Sequence, residues 1–183
     1  MIWWSFVFSA GCGLMVIKCL QTFGIYEGGL SVADAGNALG LLALFNGLGR
    51  IVWGSVSQKI GVKRALALMM VMQACMMFAL YEMGSSVFAL TIAACWIGFN
   101  FGGNFALFPL MTSEALGTKN LGANYGAVFT AYGVGGILGP VLAGGVWDAL
   151  GSYFWAFIPA AVACLAAAVL VLRSGYNPAK ALA

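Results

Sequence analysis

Apolar residues fill long, nearly unbroken stretches of the chain, separated by short clusters of charge and glycine. The stretches cover roughly residues 2–24, 36–56, 65–81, 86–111, 122–146 and 153–172. A helix needs about 20 mostly apolar residues to cross a hydrocarbon core. The runs lack period-two alternation, and a transmembrane strand needs only about 9–11 residues. Lipid offers no water to backbone N–H and C=O groups, so long apolar runs must satisfy those groups internally, as helices. The pattern predicts an all-α membrane protein with six transmembrane helices, the third short and the fourth long.

Composition narrows the class further. Hydrophobic residues make up 63% of the 183 and charged residues 7%, against about 45–50% and about 25% in soluble domains. So few charges cannot coat a water-soluble surface, which excludes soluble enzymes, nucleic-acid binders and disordered proteins. The chain has no histidine, which removes Ser-His-Asp and Cys-His catalysis and histidine metal sites. Cys12, Cys19, Cys75, Cys95 and Cys164 show no CxxC spacing and all fall in apolar segments. They read as small buried hydrophobes. No catalytic residue, metal or cofactor is expected. The first span has no basic leader and carries Lys18 late in its run, so it reads as a retained helix, not a signal peptide.

Charge sets the expected topology. Lys59, Lys63 and Arg64 lie between spans two and three, Lys119 between four and five, and Arg173 and Lys180 after six. The loops with Glu27 and Asp34, with Glu82 and with Asp148 carry no positive residue. The positive-inside rule then makes the 57–64 and 112–121 loops and both termini cytoplasmic. The expectation is a multi-pass protein with a transmembrane domain over 1–174 and a short cytoplasmic tail over 175–183, placed in a prokaryotic inner (plasma) membrane. Trp3, Trp4, Trp147, Tyr153 and Trp155 near span ends read as an interfacial belt.

Many of the 26 glycines stand inside spans at small-xxx-small spacing: Gly36 and Gly40, Gly98 and Gly102, Gly122 and Gly126, Gly135 and Gly139. Such spacing lets helix backbones approach closely. The run Gly133, Gly135, Gly136, Gly139, Pro140, Gly144, Gly145 suits either static packing or a helix that bends during transport.

The segment Gly54-Ser55-Val56-Ser57-Gln58-Lys59-Ile60-Gly61-Val62-Lys63-Arg64 resembles the loop motif of the major facilitator superfamily. There, a glycine, an acidic residue and paired basic residues latch the cytoplasmic side closed. The resemblance implies a gating role for Gly54, Gln58, Lys59, Gly61, Lys63 and Arg64, with Gln58 standing where the acid is usual. Three further runs strengthen it: Asn46-Gly47-Leu48-Gly49-Arg50, Gly102-Gly103-Asn104-Phe105-Ala106-Leu107-Phe108-Pro109, and Lys119 through Gly133. Together they look like the C-terminal half of the oxalate:formate antiporter family, its helices seven to twelve. The resemblance implies one half of a major facilitator fold, two inverted three-helix repeats, and antiport of small carboxylates by alternating access. It also implies two cavity-facing cations. Arg50 matches the one on helix eight. The one on helix eleven follows Thr-Ala, here Thr130-Ala131, and its position holds Tyr132 instead of lysine.

A cation at bilayer depth costs about 2.5–3.5 kcal/mol on insertion scales. Arg50 stands about six residues, roughly 9 Å, from the turn after its span. It can snorkel, pair with another helix, or bind an anion, since a guanidinium grips a carboxylate bidentately. Lys18, with Gln21 three residues on, can replace the charge lost at 132, snorkel outward, or pair with Glu27 or Asp34. Asn46 shares a face with Arg50, and Asn100 shares one with Asn104. These asparagines, with Gln21, Tyr125 and Thr130, are candidate cavity wall or interhelical glue. A phenol at 132 carries no charge near pH 7, which favours formate- or lactate-like monoanions over oxalate. The expected partners are the bilayer, a carboxylate, and an N-terminal six-helix half or a second copy; nucleic acid is not among them. The chain reads as a fragment, a split-gene half or a homodimer subunit. The competing function is a non-transporting scaffold or accessory half-subunit.

Overall fold

The computed structural model describes residues 1–83 and 86–175, the side chain of Tyr81 excepted. Six helices follow one another: α1 (Ile2–Tyr26), α2 (Val32–Ile60), α3 (Val62–Met83), α4 (Val87–Leu116), α5 (Leu121–Leu150) and α6 (Phe154–Arg173). All six are long and apolar enough to cross a membrane, and no strand occurs among the described residues. The tail expected over 175–183 lies outside them beyond Gly175.

The helices outrun the apolar stretches that announced them. α2, α4 and α5 have 29, 30 and 30 residues, about 44 Å at 1.5 Å per residue, against a hydrocarbon core of about 30 Å. Their polar ends are therefore helical beyond the lipid. The loop expected over 57–64 shrinks accordingly. α2 runs through Gly54, Gln58 and Lys59 to Ile60, and the turn is Gly61, at φ 86°. Only glycine adopts that φ without strain, and its N–H closes on the Ser57 carbonyl at 2.9 Å.

Pairing of the helices shows an internal repeat. The most extensive contacts join α2 to α4, α1 to α5 and α3 to α6. Exchanging α1–α3 for α4–α6 maps this set of pairs onto itself, as two three-helix repeats require. Glycine makes the first two pairs close. A Cβ at Gly49 would meet the Phe99 carbonyl oxygen at 1.9 Å, one at Gly102 the Asn46 oxygen at 2.0 Å, and one at Gly139 the Gly11 oxygen at 2.2 Å. Of the four expected small-xxx-small pairs, Gly98/Gly102 and Gly135/Gly139 therefore sit at helix crossings. Gly40, Gly122 and Gly126 face open space, and Gly36 meets only the Gln21 side chain, at 3.9 Å.

The bundle is unevenly covered. α1 is 67% buried over its most apolar window, whereas α2 and α5 are 17% and 28% buried. The core forms two clusters. One gathers Phe23, Leu80, Leu90, Tyr153 and Phe157; the other gathers Phe6, Trp53, Leu66, Phe108 and Val171. At the end of the first cluster, the Glu27 carboxylate after α1 accepts the Tyr153 N–H at 2.8 Å and the Ser152 hydroxyl at 3.0 Å. It thereby supplies α6 with the acceptor its first backbone donors lack. Cys12, Cys19 and Cys164 are buried as expected, but Cys75 is exposed. It points off the outer side of α3, where lipid accepts a thiol as readily as a core does. Of the expected belt, Trp4 and Trp155 are exposed. Trp147 and Tyr153 instead stack on each other at 4.5 Å.

Candidate anion-binding site

Arg50 lies within α2, ten positions before its C-terminal residue. Gly49 beside it turns toward α4 and meets Phe99; Arg50, about 100° further round the helix, is exposed at the edge of that crossing. Its Nε and Nη2 donate to Asn46 Oδ1 at 3.3 and 3.2 Å, the i,i+4 relation the spacing predicts. Its Cζ stands 4.5 Å from the ring centroid of Phe105 on α4, inside the range of a cation–π contact. The guanidinium is thus neither capped by backbone oxygens nor sunk among inert neighbours. One amide and one ring fix its plane, and the Nη1 side is left for a further acceptor.

An aromatic wall continues from Phe105. Its ring lies 5.6 Å from that of Tyr132 on α5, and Tyr132 stacks on Phe129 at 5.0 Å and 6°. Phe101 and Phe6 lie 6.3 and 6.2 Å from Tyr132. Tyr125 continues the series, 5.5 Å from Phe129. Phe105, the ring beside the guanidinium, is the contact that sequence reasoning missed. Its signal was present, since a ring on α4 in a glycine-rich run suits a neighbour that approaches closely. Thr130 is exposed; it accepts the Trp3 indole N–H at 2.9 Å and donates to the Ala127 carbonyl at 2.8 Å. Trp3 therefore ties α1 to α5 as well as standing near a span end.

Lys18 lies elsewhere. With Leu14, Ile17 and Gln21 of α1 it lines an open recess of about 510 Å³, completed by Leu39 of α2 and by Gly136 and Pro140 of α5. Leu39 is eleven positions from Arg50 on α2, about 16 Å along the axis. The bonds of the two acids considered as its partners go elsewhere: Glu27 holds the start of α6, and Asp34 accepts from Ser31, whose hydroxyl caps α2.

Asn100 and Asn104 are not beside Arg50. Both are buried, at 2% and 1% exposure, because α4 is a central helix and this face of it looks into the bundle. Ser9 on α1 donates to Asn104 Oδ1 at 2.8 Å. The structure thus brings together Arg50, Asn46 and, through Phe105, Tyr132; it places Lys18 with Gln21; and it sets Asn100 and Asn104 apart. Of the expected latch, Lys63 donates to the Ser174 carbonyl after α6, while Gln58, Lys59 and Arg64 are exposed.

Six membrane-length helices in two equivalent sets of three define a helical membrane domain with an internal repeat. The Major Facilitator Superfamily model matches residues 3–182, and the chain belongs to that superfamily. The chain is 33% identical over 125 residues to the uncharacterized MFS-type transporter YhjX of Escherichia coli, which covers 68% of the chain and 31% of the relative. It is 29% identical over 160 residues to the oxalate:formate antiporter of Oxalobacter formigenes, covering 82% and 35%. It is 35% identical over 69 residues to monocarboxylate transporter 14 of Mus musculus, covering 38% and 13%. The chain spans about a third or less of the length of these curated relatives.

Proposed function

We propose that the chain forms the carboxylate-binding half of a carrier that exchanges small organic anions across a membrane by alternating access. The observation that carries this reading is Arg50, a permanent cation on an exposed helix face, held in plane by Asn46 and Phe105. A planar fork with free donors suits a carboxylate, and charge-assisted bonds of this kind are roughly twice as strong as neutral ones. The printed names of two relatives, an oxalate:formate antiporter and a monocarboxylate transporter, support the same cargo class. Tyr132 offers a hydroxyl where a second cation is expected, so the site suits a monoanion such as lactate or formate better than oxalate. Lys18 and Gln21 form a separate outer contact for the same anions, in the recess that Leu39 also lines.

The weak coverage of α2 and α5 and the open glycines Gly40, Gly47, Gly54, Gly126 and Gly133 suit close packing of a second six-helix unit against these two helices. That unit is an N-terminal half or another copy. Both ends of the chain lie on the cytoplasmic side of a prokaryotic inner membrane. There the α2–α3 turn, with Gln58, Lys59, Lys63 and Arg64, gates the vestibule from inside.

Uptake of labelled lactate, formate and oxalate by the intact carrier tests this. Lactate or formate is expected to enter faster than oxalate, and Tyr132→Lys to shift the preference toward oxalate. Equal neglect of all three carboxylates by a membrane-abundant protein would leave a scaffold as the better reading.

A further inference from the structure

The two core clusters do not touch along a continuous apolar seam. On α3, Leu66, Met69 and Met70 belong to one cluster and Ala74 and Met77 to the other. On α4, Ile97 belongs to one and Leu107 to the other. Gln73, Asn100 and Asn104 fall in the gap, joined by Ser9 of α1, and all four are buried. A polar layer therefore crosses the middle of a bundle that is otherwise apolar, and it joins the first three-helix repeat to the second.

Part of this layer is satisfied internally by the bond from Ser9 to Asn104. The rest is not. Gln73 Nε2 and Oε1 and Asn100 Nδ2 and Oδ1 are buried and have no hydrogen-bond partner. Leaving such a group unpaired costs roughly 1–3 kcal/mol, and surrounding lipid cannot supply a partner. Between them lies a cavity of about 10 Å³, lined by Ser9, Gly13, Met69, Gln73, Asn100 and Asn104 among others. That is about the room one water needs.

We propose that this cavity is a binding site for a single internal water, held between the Gln73 and Asn100 carboxamides at the junction of the two repeats. Two orphaned donors and two orphaned acceptors match a molecule that accepts two bonds and donates two. A monovalent cation fits poorly. The oxygens around the cavity belong to two asparagines, a glutamine and a serine, all neutral, and no carboxylate lines it. A buried charge without a counter-charge is far costlier than a buried dipole. The site is independent of the anion chemistry at Arg50.

Radiolytic hydroxyl-radical footprinting with mass spectrometry reads it directly, because a bound water generates the radical beside the side chains it touches. Met69 and Met70 are as deeply buried as Met77 and Met111, which are not among the residues lining the cavity. In the intact purified protein, Met69 and Met70 are expected to oxidise at least about threefold faster than Met77 and Met111. The double variant Gln73→Leu/Asn100→Leu removes all four orphaned atoms and is expected to bring the rates together. Asn100→Leu alone is the second variant should the double one not fold; it removes half of the orphaned atoms and is expected to lower the excess, which if unchanged also overturns the proposal. Equal oxidation of the four methionines in the unaltered protein, as a direct Gln73–Asn100 bond would give, overturns the proposal. So does an excess that survives the double variant.

Discussion

At the scale of single residues, the functional weight falls on where a polar side chain points. Asn46 and Arg50 are four positions apart on α2 and bond to each other at the edge of the α4 crossing, Asn46 half-buried and Arg50 exposed. Asn100 and Asn104 are also four apart, yet α4 carries them inward. Sulfhydryl labelling separates the two pairs. A cysteine at 46 is expected to react with a small water-soluble thiol reagent, and a cysteine at 100 to react at least about tenfold more slowly; equal rates would contradict the placement. Sequence spacing showed which residues share a face but not which way that face looks. In a helix as uniformly apolar as α4, hydrophobic periodicity gives no direction. Gln73 and Ser9 escaped notice for the same reason. A structural carboxylate offers a second test. Glu27→Ala removes two hydrogen bonds from the start of α6 and is expected to lower stability by about 1–3 kcal/mol. Thermal unfolding in detergent reads this as a drop in Tm with no change in anion selectivity.

At the scale of helices, close approach is the organising contact, since lipid gives helices no hydrophobic reason to associate. The glycine spacing in the sequence identified Gly98/Gly102 and Gly135/Gly139 as crossing points, and these are where the α2–α4 and α1–α5 pairs meet. It also marked Gly36/Gly40 and Gly122/Gly126, which meet no backbone within the chain, because small-xxx-small spacing cannot say whether the partner helix belongs to the same six. The difference is measurable. Gly102→Ala drives a Cβ against the Asn46 carbonyl, a backbone atom that cannot step aside. A cost of about 1–3 kcal/mol is expected, seen as a lower unfolding temperature. Gly40→Ala meets nothing within 4 Å and is expected to leave the stability of the six-helix unit unchanged. A loss confined to the assembled carrier would mark α2 as the interface with a second unit. Helix number and order were legible from the apolar runs alone. Helix ends were not, because apolar composition marks the lipid-embedded part of a helix while its backbone hydrogen bonding continues past it. That is how the expected 57–64 loop becomes the last turn of α2, Gly61 and the first turn of α3.

At the scale of the whole molecule, α2, α4, α5 and α6 pack against α1, while α2 and α5 stay largely bare, and it is along this bare side that the proposed cargo path runs. Membership of the Major Facilitator Superfamily accounts for the fold. The proposed cargo depends on one guanidinium in that path. Equilibrium binding of lactate to the purified intact carrier tests this dependence without the transport cycle intervening. The unaltered protein is expected to bind lactate saturably. Loss of a charge-assisted bond worth about 1.5–3 kcal/mol should weaken binding by about ten- to a hundredfold in Arg50→Ala, with Arg50→Lys between the two. Lactate bound equally well by Arg50→Ala and by the unaltered protein would contradict the account.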